Sequence, residues 1–413
     1  MSQVTVGARG DAGAHASADG EGRRAGGDAS EPLSRWAFLA FAVASFGGPL
    51  ALAASGAPGL IGDAADSSGL VMLAGAVVFL VPLAIWLRYS REITGPGGLY
   101  AFVEAAAGRR VALVQAAVWI FSYLLYVVYT TVQIVYDLLP AVLPGEARYQ
   151  TVLALGIPVA LVAVMLAGRA AAFVVLGVIA AGQLALAGIL DGVTLAHIGA
   201  PLSSFGAGAP AGPLVKASAQ TSQLYVCGSL PLFLGGELAA PARTIRRGII
   251  AAFALSALVI VLAVAPLAAA PGLLRTDLPG MSVVEQFAGA GLARAIGIGV
   301  AVSTAGVILC EYVALTRLIH AIGRWRIRPI AAAIGVVALV AAPISLIDPD
   351  GFYSRLLKPS EVALWVSQLI VFAVYPLFAF KRRQRLWPAL ALALGASGFA
   401  VYGVVTALQQ ASS

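Results

Sequence analysis

The stretch Ser45-Phe46-Gly47-Gly48-Pro49-Leu50 interrupts a long apolar run, and Cys227-Gly228-Ser229-Leu230-Pro231 interrupts another. Glycine and proline are costly in a lipid-exposed helix because they free backbone groups that lipid cannot satisfy. Such clusters therefore indicate helix breaks, kinks or close helix contacts. Two clusters at matching positions, five apolar runs apart, are the pattern of an inverted structural repeat. The alternative is that both are ordinary kinks that serve packing.

The composition assigns the chain to a membrane. Of its 413 residues, 60% are apolar and 11% are charged, and its mean hydropathy is +0.92. A water-soluble domain cannot bury so much apolar surface, and lipid requires that backbone groups be satisfied inside helices or closed barrels. The long uncharged runs therefore predict an all-α polytopic membrane protein and exclude a soluble enzyme. Cys227 and Cys310 both lie in such runs and indicate neither a disulfide nor a metal site.

We predict eleven membrane spans, because a lipid-spanning helix needs about 20 mostly apolar residues. The spans are approximately Trp36–Leu60, Leu70–Leu87, Val111–Leu139, Thr151–Leu166, Ala170–Leu190, Gln223–Ala239, Ile245–Ala269, Gly291–Ile319, Ile330–Ile347, Glu361–Phe380 and Leu386–Leu408. Only three residues, 167–169, separate spans 4 and 5. A division into ten or twelve spans is therefore also compatible with the sequence.

The basic residues orient these spans, because loops rich in lysine and arginine remain cytoplasmic. With the N-terminus inside, twenty of the 26 cations fall in inner segments. The six outer ones are Arg148, Lys216, Arg275, Arg294, Arg355 and Lys358. Residues 1–34 lack the apolar segment of a signal peptide and predict a disordered cytoplasmic tail. The sequence thus predicts an integral protein of the cell (inner or plasma) membrane, with its N-terminus cytoplasmic and its C-terminus outside.

Three cytoplasmic connections carry motifs of a known family. They are Arg91-Glu92-Ile93-Thr94-Gly95-Pro96-Gly97-Gly98-Leu99-Tyr100-Ala101-Phe102-Val103-Glu104 before Gly108, Gly236-Glu237-Leu238-Ala239-Ala240-Pro241-Ala242-Arg243-Thr244-Ile245-Arg246-Arg247, and Leu315-Thr316-Arg317-Leu318-Ile319-His320-Ala321-Ile322 before Pro329. Together they resemble the amino acid–polyamine–organocation superfamily over Trp36 to Phe380. The sequence departs from that family in span 1, which lacks its glycine-isoleucine-glycine-x-glycine break, and in span 6, which lacks its Gly-Phe-Glu.

The resemblance implies a leucine-transporter-type bundle of five plus five helices. Its inverted repeats would cover about 35–190 and 222–380 of a core spanning 35–380, and residues 381–413 would add a basic loop and a peripheral span 11. The substrate would bind at the broken helices: Phe46, Gly47, Gly48, Pro49, Leu50, Cys227, Gly228, Ser229 and Leu230. Tyr126 and Tyr129, toward the middle of span 3, would face the substrate cavity, or else belong to an interfacial aromatic belt. Glu237, Arg243 and Arg317 would form gating charge pairs. The alternative is that these charges rest among lipid headgroups at fixed helix ends.

Polar residues inside the spans suggest how transport is coupled to an ion gradient. Glu311 lies deep in span 8, and an acid at that depth is a functional candidate because charge is expensive there. It would exchange a proton, or else serve as a static partner of a neighbouring helix or of Arg317. Ser303 and Thr304 lie two turns earlier, where sodium-coupled relatives place hydroxyl ligands. The alternative for these hydroxyls is helix packing, and proton and sodium coupling both stay open.

These features predict a secondary active transporter that moves an amino acid or related amine by alternating access. We expect no catalysis, no cofactor beyond a proton or sodium gradient, no metal and no nucleic acid. Its partners would be the lipid bilayer and the small-molecule substrate. The alternatives are a membrane channel or receptor, and an exporter subunit that needs a partner protein.

Overall fold

A computed structural model of the chain describes residues 31–143, 145, 148–199 and 201–409. Most of the predicted tail, residues 1–30, lies outside the described residues. The helices belong to one unit that begins at Leu33. Its interior combines apolar side chains with buried polar ones, among them Ser303, Glu311 and Gln368.

The architecture of the described residues is helical. Its main helices are Arg35–Ser45, Pro49–Ala51, Leu52–Gly56 (a π-helix), Ala57–Gly59, Ser68–Glu92, Leu99–Ala107, Arg109–Gln133, Ile134–Leu138 (a π-helix), Gln150–Ala167, Arg169–His197, Ala211–Gln223, Val226–Glu237 (a 3₁₀ helix), Pro241–Val264, Pro279–Ala288, Ala290–Gly323, Ile327–Ser345, Pro349–Ala373, Tyr375–Lys381 and Leu386–Gln409. Shorter 3₁₀ turns cover Gly62–Ser67, Leu202–Phe205, Ala265–Ala269 and Leu273–Arg275.

Ten helical segments among the described residues are long and apolar enough to cross a membrane. They match ten of the predicted spans, with ends that extend by up to a dozen residues. The segments are Arg35–Gly59, Gly62–Glu92, Arg109–Leu138, Gln150–Ala167 and Arg169–His197 for spans 1 to 5, and Pro241–Ala269, Ala290–Gly323, Ile327–Ser345, Pro349–Lys381 and Leu386–Gln409 for spans 7 to 11. Span 6 is divided into the helix Ala211–Gln223 and the 3₁₀ helix Val226–Glu237. Its first half begins a dozen residues before the predicted start at Gln223.

The packing of the spans has the symmetry of two related halves. Spans 1 and 6, 2 and 7, 3 and 8, and 4 and 9 each pack against one another. If span 1 corresponds to span 6, span 2 to span 7 and so on, a contact in one half should have a counterpart in the other. The contact of span 3 with span 10 has its counterpart in that of span 8 with span 5. The contact of span 1 with span 7 has its counterpart in that of span 6 with span 2. A short helix also follows span 2 and span 7, namely Leu99–Ala107 and Pro279–Ala288. These correspondences fit the predicted five-plus-five arrangement.

Span 11 packs on the outside of this core, against spans 2 and 10. The ring of Trp365 lies where a Cβ at Gly403 would project, and it meets Phe399 edge-on with 5.1 Å between ring centroids. Span 11 therefore docks through a glycine that admits the indole of span 10.

The Gly403 contact predicts a stability effect. Gly403→Val should lower the stability of the purified protein by about 1–3 kcal/mol, the usual range for overpacking a tight contact. Gly398→Val in the same helix is the matched control, because a Cβ there meets open space. Thermal unfolding in detergent measures both, and equal melting temperatures for the two variants would contradict the docking role of Gly403.

Candidate functional site

The break in span 1 is created by two consecutive glycines in the left-handed region. Gly47 has φ +77° and Gly48 has φ +69°, a conformation that costs glycine little and other residues much. The helix stops at Ser45 and resumes at Pro49, whose fixed φ suits the first turn of a helix. A Cβ at Gly48 would overlap the Ser303 hydroxyl of span 8. The unwound segment therefore lies directly against span 8.

Span 6 breaks at Leu224 and Tyr225, after which the chain forms a 3₁₀ helix of 12 residues. Such helices rarely exceed three or four residues, and long ones mark hinges or strained sequence. A Cβ at Gly47 would lie 3.2 Å from the Leu224 carbonyl, so the two breaks adjoin. A Cβ at Gly228 would overlap the ring of Phe46. The two interrupted helices thus meet through an aromatic ring seated on a glycine.

Glu311 of span 8 lies beside this meeting point. Its side chain is 0% exposed, and its Oε1 accepts a long contact of 4.0 Å from the Cys227 thiol of span 6. The other oxygen, Oε2, has no hydrogen-bond partner among the described protein atoms. Tyr123 and Tyr126 of span 3 both interact electrostatically with this carboxyl. A buried acid thus faces the centre of the bundle between spans 3, 6 and 8.

The aromatic rings of span 3 form a ladder past this carboxyl. Ring centroids are 4.1 Å apart for Trp119 and Tyr123, 6.0 Å for Tyr123 and Tyr126, and 5.0 Å for Tyr126 and Tyr129. The ladder continues to Tyr353 of span 10, 5.5 Å from Tyr129. Tyr123 and Tyr129 are buried, whereas Tyr126 is partly exposed. The ladder therefore joins the centre of the bundle to span 10.

Two glutamines extend the polar surroundings of the breaks. Gln368 of span 10 is fully buried, donates to the Ser229 hydroxyl over 3.5 Å and leaves its own Oε1 without a partner in the described chain. Gln183 of span 5 accepts a 2.5 Å hydrogen bond from Ser303 and lies against Gly48. Thr304 donates instead to the Val300 carbonyl of its own helix, at 3.0 Å. Of the two candidate hydroxyls, only that of Ser303 is directed at the span 1 break.

Glu237 ties four elements together at one end of the bundle. Its carboxylate pairs with Arg317 of span 8 and, over 3.0 Å, with Arg169 at the start of span 5. Its carbonyl accepts a 2.8 Å hydrogen bond from the Leu33 amide, just before span 1. Arg317 is buried, which strengthens its interaction with the carboxylate. These contacts link spans 1, 5, 6 and 8 at this end of the bundle.

Most of the predicted site residues come together. Phe46 and Gly228 touch, Cys227 contacts Glu311, and Glu237 pairs with Arg317. Leu50 packs toward Gly299 of span 8, and Leu230 and Pro49 are buried within the broken segments. Arg243 is exposed and forms no ion pair within the described part of the chain.

Sequence reasoning did not select Arg169, Gln183 or Gln368 for the site. Arg169 follows a glycine in the three-residue connection of spans 4 and 5, where a lone arginine is typical of a topology signal. Gln183 is the one strongly polar residue in the middle of span 5, so its isolation in an apolar run was the available signal. Gln368 lies in the equivalent part of span 10, where the same signal was present.

No model of a known protein family matches the sequence, and no curated protein is similar to it in sequence. Among solved structures, the fold is similar to the crystal structure of MhsT in complex with L-phenylalanine. The TM-score is 0.62 at 14% sequence identity, and the similarity covers 92% of this chain and 100% of the MhsT chain. At this identity the likeness shows the fold alone. The chain is therefore an integral membrane protein with the helical bundle of the leucine-transporter fold.

Proposed function

We propose that this protein is a secondary active transporter of an amino acid or related amine, bound between spans 1, 3, 6 and 8. The observation that carries the proposal is the meeting of two broken helices beside a buried carboxyl. Breaks of this kind at the middle of a bundle leave peptide dipoles and carbonyls free to bind a polar solute. A fold shared with a protein crystallised with L-phenylalanine agrees with such a substrate.

The ends of the bundle fit alternating access. Glu237, Arg169 and Arg317 close one end by ion pairs, and we assign this end to the cytoplasm because the basic loops surround it. Opening it would require these pairs to separate while contacts at the other end form. The motifs of the cytoplasmic loops support membership of the amino acid–polyamine–organocation superfamily, which we propose on that ground.

Two positions are candidates for binding the coupling ion. Glu311 would take up a proton, and Ser303 with the backbone at Gly48 would bind sodium. In this structure the Ser303 hydroxyl donates its hydrogen to Gln183 Oε1. The lone pairs of the hydroxyl oxygen stay available to a cation. A comparison of flux under a proton gradient and under a sodium gradient therefore decides between the two positions.

Flux measurements in proteoliposomes test the transport proposal. An imposed proton or sodium gradient should drive accumulation of the substrate, with rates that saturate as substrate concentration rises. A channel would pass ions without saturation by substrate, and an exporter subunit would be inactive without its partner. Either of these outcomes would refute the proposal, and inactive liposomes that regain flux on addition of a membrane extract would support the exporter alternative.

A thermal-stability screen of candidate solutes tests the proposed substrate class. Any solute that binds the native state should raise the apparent stability of the purified protein, by about 2.7 kcal/mol at a concentration one hundred times Kd. Amino acids and amines should include at least one such solute, whereas sugars and nucleotides should leave the melting temperature unchanged. Thermal unfolding in detergent measures this. A shift produced by sugars alone would contradict the proposed substrate class.

A further inference from the structure

The carboxyl of Glu311 has no ion-pair partner among the described residues. Burial of a charged group in a membrane protein is tolerated when a countercharge or hydrogen bonds accompany it. Here the neighbours are a thiol and phenols, and one carboxyl oxygen is without a partner in the described chain. Arg317, two turns further along the same helix, is held by Glu237. A bound ligand would therefore supply the positive charge that complements the ionised carboxyl.

Aromatic rings surround the same point. Tyr123 and Tyr126 lie within electrostatic range of Glu311, and the ring of Phe46 covers the adjacent Gly228. Aromatic faces attract cations because their quadrupoles present negative charge. A carboxylate flanked by such rings recognises an ammonium group and an apolar body attached to it, and its own charge repels an anion.

Two further acids lie along the same row of tyrosines. Asp137 and Glu361 both interact electrostatically with Tyr353, and Glu361 and Glu311 both interact with Tyr129. The nearby Arg355 is largely exposed and lies 3.9 Å from Asp348. Neighbouring carboxylates attract cations and repel anions. These acids therefore favour a positively charged solute.

The span 1 break offers a carboxylate one amide fewer than a helix start without proline. Pro49 occupies the first position of the outer half-helix and has no N–H to donate. Gly48, the residue before it, packs against Ser303 and Gln183. An α-carboxylate next to a bound ammonium would also lie near Glu311, where like charges repel in a medium of low dielectric. These features disfavour an amino acid relative to the amine that lacks its carboxylate.

We propose that Glu311, with the rings of Tyr123 and Tyr126, forms an ammonium subsite, and that the substrate is an organic amine without an adjacent carboxylate. This inference rests on the proposed transport function and narrows its substrate class. It also replaces the role of Glu311 as a dedicated proton carrier by a role in binding the substrate.

Matched pairs of probes test the substrate class. Phenethylamine and phenylalanine differ by one carboxylate, as do putrescine and ornithine. Binding of each to the full-length purified protein is measured by isothermal titration. At least one amine should bind at least about tenfold more tightly than its carboxylate-bearing counterpart, a difference expected from one like-charge contact in a partly buried site. Equal or tighter binding of both amino acids, or binding of neither amine, would overturn the proposal.

Variants at the carboxyl test the residue assignment. Glu311→Gln should weaken amine binding by at least about 30-fold, as expected when one member of a buried charge pair is removed. Tyr126→Leu should weaken it about threefold through loss of one cation–aromatic contact. Asp191→Asn is the matched control, because Asp191 is another buried acid of the spans with an oxygen that lacks a described partner. It should leave the affinity unchanged.

Alkylation of Cys227 supplies a measurement in which Glu311, Tyr123 and Tyr126 are all unchanged. Cys227 Sγ lies 4.0 Å from the Glu311 carboxyl, so a bound amine should slow its alkylation in a Cys310→Ala protein. The amino acid of the same pair, at the same concentration, should slow it much less. Unchanged alkylation with a bound amine would place the ligand elsewhere and overturn the assignment.

Failure of this inference and failure of the transport proposal differ in their results. If Glu311→Gln keeps wild-type affinity but loses the pH dependence of flux, the carboxyl is a proton carrier and only the ammonium subsite is refuted. Gradient-driven, saturable flux of amino acids would likewise refute the amine preference while upholding transport. Ion conduction without saturation in liposomes would refute transport itself.

Discussion

Gly228→Val should abolish substrate uptake while the protein still inserts and purifies as the wild type does. A Cβ at this position would already overlap the ring of Phe46, and valine adds two methyl groups. The ring or the 3₁₀ helix of span 6 must then move at the point where both broken helices meet. Overpacking of this kind costs about 1–3 kcal/mol, enough to change the balance between two transport states by about 5- to 150-fold.

Uptake into proteoliposomes, normalised to the protein incorporated, measures this effect. Gly182→Val of span 5 is the matched control, because a Cβ there meets no atom within 4 Å. Its uptake should equal that of the wild type. Wild-type uptake by Gly228→Val would refute the assignment of this segment to the transport site.

A second replacement separates a steric cause from other causes. Gly228→Ala already places a Cβ against the ring of Phe46 and should reduce uptake. Adding Phe46→Leu removes that ring, so the double variant should regain part of the lost uptake. Ala provides the smallest Cβ and isolates the contact with Phe46. If Phe46→Leu deepens the defect instead, the ring contributes to substrate binding more than it obstructs the alanine.

The break in span 1 could be predicted from sequence because its cause is local. Gly47 and Gly48 adopt positive φ, and Pro49 begins a new helix turn, so the residues themselves encode the interruption. In span 6 the predicted break at Cys227–Pro231 lies instead inside the 3₁₀ helix, and the interruption falls earlier, at Leu224 and Tyr225. The apolar runs predicted an all-α membrane protein, whereas the five-plus-five bundle was implied by the resemblance of the loop motifs to a known family.

The errors in span boundaries have one physical cause. The first half of span 6, Ala211–Gln223, contains Lys216, Gln220 and Gln223, and the start of span 10 contains Arg355 and Lys358. Hydropathy excludes such segments from a span, although other helices or an aqueous cleft can shield their polar groups. The packed structure thus lengthens both helices beyond the apolar run.

The contacts of the site depend on tertiary packing, so the sequence near each residue could not show which residue it would contact. Gln183 and Ser303 are 120 residues apart in sequence, and Arg169 and Glu237 belong to loops of different repeats. The sequence marked Gln183 and Glu311 as unusual in apolar runs. It did not show that Gln183 would face the break in span 1 and that Glu311 would lie beside Cys227 of span 6.

Glu237→Gln should open the end of the bundle that we assign to the cytoplasm. The neutral amide cannot sustain the ion pairs with Arg169 and Arg317, and Arg317 would remain buried without its countercharge. Loss of about 1.4 kcal/mol from the closed state raises the ratio of open to closed molecules about tenfold. Removal of one partner of a buried pair commonly costs more than this.

Cys227 reports the opening, since it begins the inner segment of span 6 and is 5% exposed in the closed structure. In a Cys310→Ala protein, a thiol reagent added from the assigned cytoplasmic side should alkylate Cys227 about tenfold faster after Glu237→Gln, in proportion to the open population. Glu92→Gln is the matched control. Glu92 pairs with Arg382 over 2.9 Å and accepts a hydrogen bond from Gln384. It therefore links the end of span 2 to the connection between spans 10 and 11, not to the broken helices.

The double variant Glu237→Gln with Arg317→Gln distinguishes a gate from a general loss of stability. If the increase in alkylation arises from the uncompensated Arg317, its neutralisation should return the rate part of the way toward the wild-type value. A loosened fold would instead be loosened further by the second change. An unchanged rate in Glu237→Gln, or an equal increase in Glu92→Gln, would show that this ion-pair cluster does not close the pathway.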